Sequence, residues 1–143
     1  MRIMEMMQYC LACLGLCCAT AACADIVVIV SANAPVADLN PAQVSDIFLS
    51  KSATFPGGIQ VVPIDQADGS PIRIEFYSKT TGKSPELLKG YWSKMIFTGQ
   101  GEPPREIADS ERIKKLVASS PHYIGYIDRS ALDASVKIVL AVR

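Results

Sequence analysis

The residues best suited to chemistry are Asp68, Gly69, Ser70 and Arg73. Ser70 precedes Pro71, a capping residue followed by proline at the first helical position, so this tripeptide stands at a helix start. Such a start presents unpaired N–H groups and a partial positive charge. It suits a small anion, with the Ser70 hydroxyl and Arg73 as helpers. The same residues also serve as plain architecture, Ser70 capping its helix and Asp68 holding the turn. The residue types alone permit both uses.

Other candidates carry less chemistry. His122 is the single histidine, so no two-histidine metal pair can form, and no nucleophile motif accompanies it. It is expected in a loop beside Pro121. Asp65 and Asp68 lack the acidic spacing of a calcium loop and are expected in a turn. Tyr91 and Trp92 can stack on a ligand, but their place in an apolar helical stripe points to core packing. Lys114 and Lys115 read as a solvated helix face. Neither a catalytic site, nor a metal, nor a cofactor follows from these residues.

The 143-residue chain balances 14 basic against 14 acidic side chains, which argues against gripping nucleic acid through net charge. Its first apolar run, 11–24, ends in Ala22-Cys23-Ala24, an h-region followed by an A-x-A-like cleavage site. The expected organisation is a signal peptide over 1–24 and one domain over 25–143, exported to the periplasm. Lipidation of Cys23 is the competing expectation, against which stands Thr20 where a lipoprotein carries leucine. All five cysteines lie before residue 25, so the processed domain has no thiol chemistry.

Elements follow from periodicity and caps. Ile26 to Val30 is apolar on both faces, a strand expected centrally in a sheet. Asn40-Pro41, Ser70-Pro71 and Ser84-Pro85 each open a helix, the second spanning Pro71 to about Lys79. The third carries Leu87, Leu88, Tyr91, Trp92, Met95 and Ile96, a broad stripe expected to supply much of the core. Further strands are expected at 59–64, 123–127 and 136–142, with a helix capped by Asp109. The segment from Gly99 to Pro104 reads as a break. Alternating strands and helices predict an α/β fold, a single three-layer sandwich with a mixed, mostly parallel central sheet.

A family resemblance rests on motifs in order: 46–51 around Phe48, then Asp68-Gly69-Ser70, Tyr91-Trp92-Ser93-Lys94, Ile96-Phe97-Thr98-Gly99 and Ile124-Gly125-Tyr126. The chain resembles one lobe of the type 2 periplasmic binding proteins, and is similar to substrate-binding proteins of phosphate ABC transporters. That resemblance implies a non-enzymatic PBP-like domain binding phosphate or another small oxyanion at Asp68, Gly69, Ser70 and Arg73. It implies a membrane transporter or sensor as partner. Gln66, Pro71 and Ile72 stand where the larger relatives carry arginine, glycine and threonine. The alternative is a ligand-free interaction or regulatory module, and an open lobe face also allows a homodimer.

Overall fold

The computed structural model describes residues 25–143; the expected signal peptide and Cys23 lie outside the described residues. Strand β1 (Ile26–Ser31) is buried along its whole length. Its register explains why: it pairs antiparallel with β4 (Tyr123–Asp128) on one side and β5 (Val136–Val142) on the other. Strand β2 (Val62–Gln66) runs parallel to both β4 and the three-residue edge strand β3 (Arg105–Ile107), giving the order β3-β2-β4-β1-β5. The sheet is mixed, as expected. Parallel and antiparallel neighbours are equal in number, because β1 opposes both strands beside it.

Helices cover both faces. Helices α1 (Pro41–Phe48), α2 (Pro71–Thr81) and α3 (Pro85–Phe97) lie on one side, and α4 (Ser110–Ala118) on the other. Strand alternation divides β1 between them: Ile26, Val28 and Val30 join the first core, Val27 and Ile29 the second. The caps are those the sequence signals. Asn40 and Gln43 form a reciprocal capping box, while Ser84 and Asp109 each accept a third-residue backbone N–H. Gly82 at φ 70° ends α2 two residues beyond the expected limit.

Four expectations change. Strand β2 starts later and ends later than 59–64, because Ile59 and Val61 are held in a tight loop by Phe55 and Ala53. Residues 105–107 are a strand, paired with β2 rather than left as loop. Helix α3 buries only Leu88 and Trp92 fully; Leu87 is 60% exposed and Ile96 57%. Its apolar stripe is wider than the single line that a helix can press onto a neighbouring layer. Lys114, expected outward, lies against the surface between Glu111 at 3.0 Å and Asp133 at 2.9 Å. Its aliphatic stem covers apolar surface while its charge is met at the rim.

Candidate functional site

Asp65 ends the apolar run of β2 and is 1% exposed, a carboxylate inside the aromatic core. It belongs to the strand, not to a turn as expected. The Tyr77 hydroxyl donates to its Oδ2 at 2.7 Å, the Tyr126 hydroxyl makes a short hydrogen bond to Oδ1, and the Gln66 N–H donates to Oδ1 at 2.9 Å. Arg73 Nε reaches Oδ2 at 3.4 Å. Burying a carboxylate without such donors would be prohibitive. Burial pushes the Asp65 carboxyl above its ordinary range, and the hydrogen bonds from Tyr126 and Tyr77 pull it part of the way back. Burial also raises both hydroxyls, as does the Asp65 charge, so the tyrosines stay protonated donors.

The predicted site residues meet at this cluster's outer edge. Arg73 comes from the first turn of α2, and its side chain turns back toward the loop. Nη1 donates to Asp68 Oδ1 at 2.9 Å, and Nη2 lies 4.0 Å from Glu106 on β3. The guanidinium also sits 5.4 Å from the centre of the Tyr77 ring. Burial alone would favour the neutral form of Arg73, but the Asp65 charge raises its pKa, so it is a permanent cation. Gly69 takes φ 80°, a left-handed turn that glycine adopts freely. Ser70 accepts the Arg73 backbone N–H at 3.5 Å, so its oxygen is engaged as a cap, although loosely. Asp68 is 85% exposed at its side chain.

Gln66 does not line this loop. Its Nε2 donates to the Tyr126 carbonyl at 3.1 Å and to Ser110 Oγ at 3.2 Å, joining β2 to β4 and to the start of α4. His122 is an exposed turn residue whose Nδ1 lies 2.9 Å from the Gln60 carbonyl oxygen. Tyr91 donates to the Leu49 carbonyl at 2.6 Å and meets Trp92 edge to face, so both rings pack at the border of the core. Sequence reasoning missed Asp65, Tyr77, Tyr126 and Glu106 as members of the site. The available signal was a carboxylate closing an apolar strand eight residues before an arginine.

Among the described residues no three metal-ligating side chains gather, and no helix is long and apolar enough to cross a membrane. The arrangement offers one oriented guanidinium at the edge of an open groove lined by Asp68, Leu88, Trp92 and Glu106, backed by tyrosines that hold their protons. It can hold an oxygen anion in a fixed geometry.

No protein-family profile matches the chain, and no curated protein does. Solved structures do. A phosphate ABC transporter substrate-binding protein with bound phosphate from Clostridium perfringens is 28% identical and superposes with a TM-score of 0.66, over 81% of this chain and 44% of that one. An ABC-type phosphate transport receptor from Vibrio cholerae, 17% identical, gives 0.64 over 81% and 45%. PstS from Borrelia burgdorferi, 12% identical, gives 0.58 over 81% and 46%. The last two speak to fold alone. The chain spans less than half the length of each structure. In fold it is a single α/β lobe similar to one lobe of the substrate-binding proteins of phosphate ABC transporters.

Proposed function

We propose that this domain is a non-enzymatic, substrate-binding-protein-like lobe that takes a small oxyanion at the start of α2. It works in the periplasm with an ABC transporter or a sensor. The observation that carries this reading is the Arg73 side chain, turned back to the Asp68-Gly69-Ser70 loop and locked there from behind by Asp65. An oxyanion would replace the exposed Asp68 carboxylate on Nη1 and make the paired, charge-assisted bonds that guanidinium favours. The similar Clostridium perfringens structure, which contains bound phosphate, supports the same ligand chemistry.

Inorganic phosphate itself is expected to bind weakly. Pro71 has no N–H, Ile72 no hydroxyl and Gln66 is committed elsewhere, so the loop supplies few donors besides Arg73. Isothermal titration and thermal melts with phosphate, sulfate, propionate and ethylphosphonate test the reading. One-to-one binding of at least one of these, lost in Arg73→Met, is the expected result. A ligand at about 100 times its Kd adds about 2.7 kcal/mol of stability, which a melt resolves easily. If none of these binds at millimolar concentration, and no amine-bearing carboxylate or phosphonate does either, the oxyanion reading falls.

A further inference from the structure

An open groove of about 760 Å³ runs between the start of α2, helix α3 and the edge strand β3. Volumes of roughly 300–1,000 Å³ suit organic ligands; a tetrahedral inorganic ion would fill one corner. The lining is mixed in charge. Arg73 and Lys89 share it with Asp68, Glu86 and Glu106. Moreover, Arg73 is already balanced, by Asp65 from behind and Asp68 in front, with Glu106 4.0 Å from Nη2. A simple dianion arriving there brings like charge against two carboxylates, which disfavours it. A molecule with an ammonium group beside its oxyanion is matched by both signs. Leu88, Trp92 and Ile96 add apolar wall, and the buried indole N–H of Trp92 has no acceptor.

We propose that the groove takes a small organic zwitterion, its oxyanion on Arg73 and its ammonium between Asp68 and Glu106, with the carbon skeleton against Trp92 and Ile96. This rests on the oxyanion reading above and adds the requirement for an amine. Carboxylate and phosphonate zwitterions share the chemistry, so the test pairs each with its amine-free counterpart. Full-length protein is titrated with β-alanine against propionate, and with 2-aminoethylphosphonate against ethylphosphonate. At least one amine-bearing member should bind about tenfold tighter than its partner, the ratio of a single charge-assisted contact. Glu106→Gln, at a half-exposed edge position, should remove that ratio and, by taking away like charge, raise the affinity of the amine-free compound; Asp68→Asn is the second variant. Equal or weaker binding of both amine-bearing compounds overturns the zwitterion proposal while leaving the oxyanion reading intact. Failure of every compound overturns both. A ratio that survives both variants overturns the assignment of the ammonium to these carboxylates.

Discussion

The two faces of the sheet solve the same packing problem with different materials. Against α4 the core is aliphatic, built from Val27, Ile29, Ile64, Ile113, Val117 and Ile127. Against α1 and α2 it is aromatic: Phe76 stacks on Tyr126 at 3.8 Å and meets Phe48 and Tyr77 edge to face. Among the described residues, only the aromatic face carries a buried carboxylate, and that face borders the groove. Aliphatic packing needs nothing but shape. The aromatic face uses tyrosines because each brings a hydroxyl as well as a ring, and Asp65 needs two. Polar specification is thus concentrated on the face that borders the groove.

The largest effect should come from breaking that polar cluster. Asp65→Ala leaves Arg73 without its buried partner and two hydroxyls without an acceptor, and should destabilise by about 3–5 kcal/mol. Ile113→Val on the other face should lose only about 0.5–1.5 kcal/mol. Chemical denaturation of both variants decides; a loss under about 1 kcal/mol for Asp65→Ala would mean that the cluster is dispensable. The pH dependence has a definite sign. Because the folded carboxyl is raised above 3.8, the native state holds this proton more readily than the unfolded chain. Its contribution is greatest at pH below 3.8 and declines as pH rises through the folded value. Stability of the wild type relative to Asp65→Asn should fall over that window.

Next in size is Trp92→Ala. The ring is 5% exposed and belongs to the aromatic core, but it also borders the groove. The expected loss is about 3 kcal/mol, the lower end for a buried aromatic truncated to alanine. A loss under about 1 kcal/mol would mean that the ring adds little to the packing of this face. On the aliphatic face the matching probe adds atoms. A Cβ at Gly125 would lie 2.8 Å from Ile113 Cγ2 and 3.1 Å from Val117 Cγ2. Both neighbours are branched and held between helix and sheet. Gly125→Ala should therefore destabilise by about 1–3 kcal/mol, the usual overpacking range, and a neutral melt would show α4 free to lift.

What could be read in advance follows the range of the interactions. Caps at Asn40, Ser70, Ser84 and Asp109 are made within three residues, so their signals are written locally. The central place of β1 is legible because an unbroken apolar run needs cover on both faces. Asp65 was not legible, since Tyr77 lies 12 residues away and Tyr126 61, and only sheet formation brings them together. Strand β3 escaped for the same reason: three residues after two prolines carry no period of their own until β2 pairs with them. Helix α3 was correctly placed but misjudged in depth, because the sequence gives the width of its apolar stripe and not how much of it the core accepts.

The smallest effect belongs to the rim of the aliphatic face, where Asp133 joins Ser135 and Lys114. Hydrogen bonding from the Ser135 hydroxyl, then from Lys114, lowers the Asp133 carboxyl to about 2. Ser135 donates through both its N–H, at 2.9 Å, and its hydroxyl, whereas Lys114 divides its charge between Asp133 and Glu111. Ser135→Ala should therefore move the titration of Asp133 upward more than Lys114→Met does. Carbon-detected NMR of the side-chain carboxyl measures both. The sign is opposite to that of Asp65: a depressed carboxyl contributes above pH 3.8, and the contribution disappears as pH falls through about 2. Solvent reaches this group, so added salt should weaken the Lys114 part and leave the Ser135 part. The Asp65 cluster, walled off by tyrosines, should be far less sensitive to the same salt. If the two carboxylates responded alike, the contrast between a polar site specified in the core and a charged rim open to water would fail.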